Sequence, residues 1–535
     1  MDRRQFLRRT GAAGAALGSA AILGPLASGC GDATTSTTSS GPTTTSTAPP
    51  PTTTGAVSPA DWSALGTSLS GSLVLPSSPT YTVAKEDYNE RFDGVDPKAI
   101  AYCQSPTDVQ RCIGFARQHD LPLAARSGGH SYAGYSLCTG LVVDVSRMAT
   151  VTVAQDHQTA VVGAGARLID VYNTLGQAGV VLPGGSCPTV GIAGLTLGGG
   201  VGVFGRNFGL TCDNLESLDV VTADGRTVTA SGSADDDLYW ACRGGGGGNF
   251  GVVTSFTFGV HPVPPIALFT LEYPWAAAGS VLGAWLQWLP QTPAALWSNC
   301  QLLSEGATGP AVKVTGVFCG TTSALSGLLR PLRTAVGASP TYDFVGPESY
   351  VGAMLIEGGC EGSTVAQCHL PSQDPTGTLS RASFNAKSAY LTAALPDGGV
   401  TAVVEAVESL SQQLPQVGGG FVLDAYGGAI NQVAAADTAF VHRDALAGVQ
   451  YSVTWSTGSP SSVPAGAASW LAHSQTDLAP YVTGAYQNYI DPTQPDWLTA
   501  YYGANLPRLA QVKQAVDPDD VFHFAQSIPT SLSGA

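Results

Sequence analysis

Two glycine-rich stretches constrain the fold of this chain more than any other feature. Residues 126–132 read RSGGHSY, and residues 183–200 read PGGSCPTVGIAGLTLGGG. Each stretch places one nucleophilic atom, the imidazole nitrogen of His130 or the thiol sulfur of Cys187, beside glycines that let backbone approach a flat or charged group closely. The two stretches therefore predict loops that hold a cofactor.

The second stretch runs into a GxGxxG pattern at residues 200–205, the fingerprint of dinucleotide-binding folds. That fingerprint requires a strand before it and a helix after it. Here more glycine precedes the pattern, and residues 215–221 read as the next strand, so we predict no nicotinamide-type site. The glycines are better suited to wrap a pyrophosphate with backbone N–H groups, with Asn214 nearby.

Composition excludes several function classes. The 535 residues include 44% hydrophobic and 12% charged residues, which excludes general disorder and provides for a sizeable core. The formal net charge of −16 disfavours nucleic acid, whose binding needs clustered Lys and Arg. No GxSxG motif indicates Ser/His/Asp hydrolysis, and without an HExxH motif among eight scattered histidines we predict no metal site.

The first 60 residues are typical of an export signal followed by a flexible tether. Residues 1–30 combine Arg3 and Arg4, a short apolar run and small residues before Cys30, typical of a twin-arginine, lipoprotein-type signal. Residues 31–60 are rich in Thr, Ser and Pro and predict a disordered tether. We expect an exported protein at the cell surface or in the periplasm, touching the membrane only through a lipid on Cys30. The alternative is an ordinary signal with Cys30 incidental.

Hydrophobic periodicity predicts alternating short strands and helices in the first half of the body. Strands are expected at residues 99–102, 123–125, 141–145, 159–162 and 215–221, with helices beginning at 106 and spanning 168–177. Residues 262–480 lack a further glycine-rich loop and predict an antiparallel sheet with helices behind it.

These motifs, together with DLYWACRG at residues 237–244 and YQNYID at 486–491, resemble the berberine-bridge-enzyme-like family of flavoproteins. The resemblance covers roughly residues 80–530. It implies an α+β fold with a two-part FAD-binding domain of the PCMH (vanillyl-alcohol-oxidase) type at 80–262 and a substrate domain at 263–480, an antiparallel sheet backed by helices. A C-terminal segment at 481–530 would return to the FAD domain.

The resemblance also implies FAD bonded covalently through its 8-methyl carbon to His130 and through C6 to Cys187. Without it, His130 reads as a core histidine in a tight turn, and Cys187 as a buried thiol or half-cystine. Cys103 with Cys112 and Cys360 with Cys368 are candidate disulfides, which sequence cannot assign. The residues that the resemblance assigns to FAD binding are Arg126, Ser127, Gly128, Gly129, His130, Ser131, Cys187, Thr189, Val190, Gly191, Gly194, Gly198, Gly199, Gly200, Asn214, Gly251, Val252, Val253 and Asn488.

Four side chains are expected to carry the chemistry. The resemblance makes Tyr486 the base that removes a hydroxyl proton, Asp424 its paired carboxylate, and Tyr132 and Gln450 further residues of the cleft. Interpreted as a strand, residues 486–489 put Tyr486 and Asn488 on one face and Tyr489 on the other.

The implied activity is oxidation of a hydroxyl group of a sugar or oligosaccharide, with hydride transfer to flavin N5. A small Val190 beside the ring implies reoxidation by oxygen to hydrogen peroxide. Plant relatives carry a lysine where this chain has Gly448, and this departure weakens a monolignol-oxidase reading. Two alternatives stay open: oxidation of a secondary metabolite, such as a glycosylated one, on the same scaffold, and a surface binding protein that keeps the flavin fold without turnover.

Overall fold

A computed structural model of the protein describes residues 57–532. The predicted signal with Cys30, and the tether up to residue 56, lie outside the described residues. The first helix, Pro59–Ser68, starts at the Ser58 N-cap, whose side chain accepts a hydrogen bond from the Asp61 backbone. The helix therefore includes residues 59 and 60, which the sequence had assigned to the tether.

The first half contains two sheets and a short strand pair. Its strands are β1 (Ser72–Val74), β2 (Ala99–Tyr102), β3 (Leu123–Arg126), β4 (Leu141–Asp144), β5 (Val151–Val153), β6 (Thr159–Gly163), β7 (Val180–Val181), β8 (Leu215–Val221), β9 (Thr227–Ser231), β10 (Val252–Gly259) and β11 (His261–Pro262). The first sheet has the order β1-β2-β4-β3 and the second β5-β6-β10-β8-β9, while β7 pairs with β11. Both glycine-rich loops leave this half, one from the end of β3 and one after β7.

The second half is built on one seven-stranded antiparallel sheet. Its strands are β12 (Ile266–Tyr273), β13 (Leu296–Glu305), β14 (Pro310–Cys319), β15 (Tyr342–Glu348), β16 (Ser383–Leu391), β17 (Gly418–Ala425) and β18 (Ala447–Trp455). Their order is β15-β12-β14-β13-β17-β18-β16. Apolar residues such as Phe421 and Tyr451 point to one face, where Trp285 and Val407 of the covering helices pack on them. Several of the alternate residues, among them Asn299, Asp424 and Gln450, face the opposite way and are polar.

Helices cover both halves. The α-helices are Pro59–Ser68, Tyr81–Ala84, Pro106–Gln118, Leu168–Gln177, Ile192–Leu197, Gly205–Phe208, Asp236–Ala241, Ala278–Trp288, Thr322–Val336, Tyr350–Glu357, Asp397–Gln413, Ala429–Gln432, Ser462–Leu478, Trp497–Tyr502 and Leu506–Val516. Within residues 57–532, none of them has the length and apolarity needed to cross a bilayer.

The α+β class is confirmed, and so are most of the predicted elements of the first half. The helix Leu168–Gln177 and the strand β8 have the predicted bounds. The GxGxxG run leads into the four-residue helix Gly205–Phe208 rather than into the longer helix that a dinucleotide fingerprint opens. Of the two candidate disulfides, Cys360–Cys368 is present, whereas the sulfurs of Cys103 and Cys112 lie 3.9 Å apart as free thiols.

Candidate active site

The two glycine-rich loops meet backbone to backbone, and this contact brings the two predicted nucleophiles together. A side-chain carbon on Gly128 would overlap the backbone nitrogen of Gly191, so both positions require glycine. The contact sets the buried Thr189 hydroxyl 2.9 Å from His130 Nε2 and 3.9 Å from Cys187 Sγ. His130 and Cys187 thus flank one threonine.

The His130 imidazole is held as a neutral ring. It stacks on Tyr88, with ring centroids 4.2 Å apart, and burial lowers the pKa of His130 to about 3, with a further contribution from the charge of Arg167. A neutral imidazole keeps one nitrogen lone pair free for bond formation. Tyr88 was not foreseen from the sequence, because no local pattern marks a residue that stacks on a distant loop.

Burial raises the pKa of the Cys187 thiol, while hydrogen bonds from the Thr189 side chain and from the backbone N–H groups of Thr189 and Val190 act in the opposite direction. Val190 is half-buried beside this group. The site therefore supplies hydrogen-bond donors to a thiolate at Cys187, although burial of the thiol disfavours its ionisation.

Around these side chains the structure fits a large cofactor with a flat ring. A side-chain carbon on Gly194 would meet no protein atom within 4 Å, and one on Gly247 would meet only Gly194 and Leu197. These glycines border open space. Close by, Gln487 Oε1 is buried without a hydrogen-bond partner beside Gly198. The site thus combines open space, a buried acceptor without a partner and two nucleophilic side chains. These are the features expected of a site that holds FAD covalently.

Asn214 has its hydrogen bonds within the protein. Its amide nitrogen donates to the carbonyls of Phe208 and Leu210, each at 2.9 Å, and its oxygen contacts His261 Nε2 at 2.7 Å. The side chain closes the loop that follows the glycine run. Its assignment to the pyrophosphate stays a prediction, and in this structure its contacts are those of a loop clamp.

The predicted strand at residues 486–489 is wrong: Gln487–Tyr489 forms a 3₁₀ turn. The Tyr486 N–H donates to Ser388 Oγ on β16, which fixes the start of the turn against the sheet. Because a 3₁₀ turn brings residues three apart to the same side, Tyr489 lines the same cavity as Tyr486. The alternation that would have separated their side chains does not apply.

Three N–H groups converge on the Tyr486 hydroxyl oxygen. They come from the backbone of Gly200 at 2.9 Å, the backbone of Val201 at 3.2 Å and the amide of Asn488 at 2.9 Å. Burial raises the pKa of Tyr486 to about 12, and these donors oppose that rise. Donors that converge on one oxygen stabilise its anion more than its neutral form.

Tyr486 lines a narrow cavity between the two halves. The lining includes Val201, Ser388, Tyr390, Asp424, Gln450 and Tyr489. Asp424 takes its hydrogen bond from Asn299, its cross-strand neighbour on β13, rather than from Tyr486. Burial raises the pKa of Asp424 to about 6.

Tyr132 and Gln450, the two further cleft residues that the resemblance implies, contact each other beside the cavity. Gln450 Nε2 donates to the Tyr132 hydroxyl at 2.7 Å. The Tyr132 ring stacks on Tyr489 at 5.1 Å and meets Phe384 edge-on at 4.9 Å. These rings thus offer aromatic faces next to the predicted base.

Two rows of polar side chains continue the site across the sheet. One row runs through Thr315, Asn299 and Asp424, and the other contains Lys313, Gln301 and Gln450. Burial, with a smaller contribution from the Asp424 charge, raises the pKa of nearby Glu357 to about 7, while Lys313 acts the other way. Sequence reasoning missed these residues except Asp424 and Gln450, because only strand pairing brings them together. Within residues 57–532, no group of His, Cys, Asp and Glu side chains has the arrangement of a metal site.

Comparisons with known proteins agree with this geometry. Residues 97–231 match the FAD binding domain family, and residues 485–529 match the family described as berberine and berberine like. An uncharacterized FAD-linked oxidoreductase of Bacillus subtilis is 35% identical, over 86% of this chain and 98% of its own length.

Two solved structures are similar over most of the chain. BBE-like 1 from Physcomitrella patens is 32% identical with a TM-score of 0.80, over 88% of this chain and 99% of its own. The xylooligosaccharide oxidase from Myceliophthora thermophila, solved in complex with xylobiose, is 27% identical with a TM-score of 0.75, over 86% of this chain and 97% of its own.

Proposed function

The chain belongs to the berberine-bridge-enzyme-like family of FAD-linked oxidoreductases, and on that premise we propose that it oxidises a hydroxyl group of a sugar or oligosaccharide. We propose further that its FAD is bonded to both His130 and Cys187. When bound, FAD supplies a two-electron acceptor for the hydrogen on the carbinol carbon, and the protein supplies binding, orientation and proton transfer.

The observation that carries the proposal is the set of three N–H donors on the Tyr486 oxygen. Oxidation of an alcohol needs the hydroxyl proton removed as the carbon gives up its hydrogen. Tyr486 takes that proton at its phenolic oxygen, where the donors from Gly200, Val201 and Asn488 are already oriented toward the negative charge. Preorganised donors of this kind lower the cost of charge development without further rearrangement.

Asp424 has the second role in the cavity. Its pKa of about 6 leaves it ionised at neutral pH, so its oxygens accept hydrogen bonds from substrate hydroxyls. Asn299 holds the carboxylate from the neighbouring strand. In this proposal Tyr486 accepts the substrate proton, and Asp424 provides a separate negative charge in the same cavity.

The surroundings favour a carbohydrate over a flat apolar molecule. The rows on the sheet present hydroxyl, amide, ammonium and carboxylate groups, and a polyhydroxylated ligand pairs with all of these. The aromatic ring of Tyr489, which lines the cavity, suits the C–H face of a sugar ring. Gly448, next to Asp424 in the row, leaves its side-chain space to the Tyr426 ring. The similarity to a xylooligosaccharide oxidase points in the same direction.

The electron acceptor and the location of the enzyme belong to the same proposal. A half-buried valine at position 190 supports access of oxygen, which would be reduced to hydrogen peroxide. The twin arginines and Cys30, which lie outside the described residues, support export and anchoring by a lipid.

The test combines substrate screening with one variant. Anaerobic protein is mixed with mono- and oligosaccharides, and bleaching of the flavin absorbance is followed by stopped flow. We expect at least one sugar to bleach the wild type, and Tyr486→Phe to slow bleaching by about a hundredfold or more. The matched control is Tyr81→Phe, whose hydroxyl donates to the Pro97 carbonyl outside the cavity.

Each outcome separates one part of the proposal. If no sugar bleaches the flavin while an aromatic alcohol or a secondary metabolite does, the carbohydrate assignment is wrong. If Tyr486→Phe reduces the flavin at the wild-type rate, Tyr486 is not the base. If nothing bleaches the flavin, a binding protein explains the fold better. If acid precipitation releases all the flavin into the supernatant, the flavin is not covalently attached.

A further inference from the structure

The buried Thr189 hydroxyl lies between the two predicted points of flavin attachment. It is 2.9 Å from His130 Nε2 and 3.9 Å from Cys187 Sγ, within hydrogen-bonding range of nitrogen and of sulfur respectively. Thr189 is fully buried, so no bulk water competes for its hydroxyl. Its hydroxyl contacts these two side chains, and among the described residues it bonds neither Tyr486 nor the polar rows of the sheet.

A threonine hydroxyl carries only one proton, and this limits how both neighbours can be satisfied. If the hydroxyl donates to Nε2, the imidazole proton is on Nδ1 and the sulfur receives no donor from Thr189. If Nε2–H donates to the hydroxyl oxygen, the hydroxyl proton is free to point at the Cys187 sulfur. In the first arrangement the sulfur can meet Thr189 only as a thiol that donates to the hydroxyl oxygen, so only the second arrangement gives a Cys187 thiolate a donor.

Two observations favour the second arrangement. A backbone hydrogen bond with Thr189 raises the pKa of His130 against the larger effect of burial, as a ring N–H directed at Thr189 does. The Thr189 side chain lowers the pKa of Cys187 against burial, as a donor to the thiolate does. With the two distances, both effects agree with a ring N–H directed at Thr189 and a hydroxyl proton directed at Cys187 Sγ.

We propose that Thr189 is a positioning residue for covalent flavin attachment, which sets the His130 tautomer with a free lone pair on Nδ1 and donates its hydroxyl proton to the Cys187 thiolate. One hydroxyl then prepares both nucleophiles. This inference rests on the proposed double attachment of FAD and deepens it by naming the residue that activates both bonds.

The chemistry balances with oxygen as the oxidant. At His130, one C–H bond of the flavin 8-methyl group and the imidazole N–H are lost and a C–N bond forms. At Cys187, the C6–H bond and the thiol S–H are lost and a C–S bond forms. Each bond releases two electrons and two protons, which one molecule of dioxygen takes up as hydrogen peroxide. Because the Nδ1 lone pair forms the new bond, the N–H that is lost is the one on Nε2, which faces the Thr189 oxygen.

The experiment compares Thr189→Val with Thr189→Ser. Valine keeps the shape and removes the hydroxyl, whereas serine keeps the hydroxyl. Flavin bonded at each site is quantified by mass spectrometry of the His130 and Cys187 peptides at intervals after purification, in air. We expect Thr189→Val to form both bonds about 10- to 100-fold more slowly, the loss typical of one hydrogen bond to a charged or reacting group. Thr189→Ser should restore both rates to within about threefold.

Each alternative result has one meaning. Equal rates in Thr189→Val and the wild type overturn the proposal, and so does a Thr189→Ser variant as slow as Thr189→Val, because shape would then be the cause. Slowing at only one site overturns the shared role. If neither peptide of the wild type carries flavin, the double attachment in the proposed function is wrong. This result is distinct from failure of the proposed role of Thr189. If Thr189→Val does not fold, the smaller Thr189→Ala answers the same question, with retained non-covalent FAD as the check of folding.

Discussion

Replacing Asn488 by leucine removes one of the three donors on the Tyr486 oxygen and keeps the size of the side chain. A hydrogen bond to a charged group contributes about 1.5–3 kcal/mol, and one pKa unit corresponds to about 1.4 kcal/mol. The pKa of Tyr486, already near 12 through burial, should therefore rise by a further one to two units, roughly. At any pH below that value the ionised fraction, and with it the rate of flavin reduction, should fall by about 10- to 100-fold.

The assay is the pH dependence of anaerobic flavin reduction by a saturating sugar. In the wild type the rate should rise about tenfold for each pH unit between about pH 7 and 9, because Tyr486 loses its proton only well above that range. Asn488→Leu should give a parallel line displaced to higher pH. Asn173→Leu is the matched control, since the Asn173 amide contacts only the exposed Gln177. The reasoning would be refuted if the rate of Asn488→Leu were lower by the same factor at every pH and neither protein showed the tenfold rise per pH unit. The Asn488 donor would then orient Tyr486 without changing its ionisation.

Three further outcomes are expected, two from the structure and one from the sequence. Asp424 has a raised pKa of about 6, so the fall in rate toward acid pH should become steeper below about pH 6 as the carboxylate is protonated, and Asp424→Asn should leave only the Tyr486 slope there and lower kcat/KM by about 10- to 100-fold. Lys387→Met strands the buried Asp491 and should lower the free energy of unfolding in urea by about 3–5 kcal/mol, whereas the exposed Arg226→Met should leave it unchanged. Cys30→Ala should abolish incorporation of labelled palmitate in cells and release the protein from membranes; continued incorporation would rule out Cys30 as the anchor.

Local patterns predicted the elements whose residues determine their own geometry. The helix Leu168–Gln177 places five apolar side chains on one face at helical spacing, and the period alone fixed its bounds. The 3₁₀ turn at Gln487–Tyr489 has no such period. Its shape follows from the hydrogen bond between the Tyr486 N–H and Ser388 on a distant strand, so alternation gave a wrong strand there.

In the candidate site, too, residues within local motifs could be predicted, whereas residues placed by the tertiary fold could not. The nucleophiles His130 and Cys187 were predicted because each sits inside a glycine-rich motif that the chain carries in one piece. Asn299 was not, because only the pairing of β13 with β17 sets it opposite Asp424. Tyr88 was missed in the same way, since its stacking on His130 depends on how an early segment folds over the loop. Contacts between segments distant in sequence are set by the tertiary fold, and a single sequence does not contain them in readable form.

The segment that carries the predicted base also joins the two halves of the protein. Asn488 donates to the Leu195 carbonyl in the cofactor half as well as to Tyr486, and Asp491, three residues on, pairs with the buried Lys387 of the substrate sheet. The Tyr486 oxygen therefore stays in place only while both halves hold their relative positions. In the proposed reaction Tyr486 takes a proton from a substrate on the sheet side, while two of its three donors, Gly200 and Val201, come from the glycine run. Catalysis should therefore be sensitive to any shift between the halves. Lys387→Met should accordingly lower the rate of flavin reduction at temperatures where the protein is still folded.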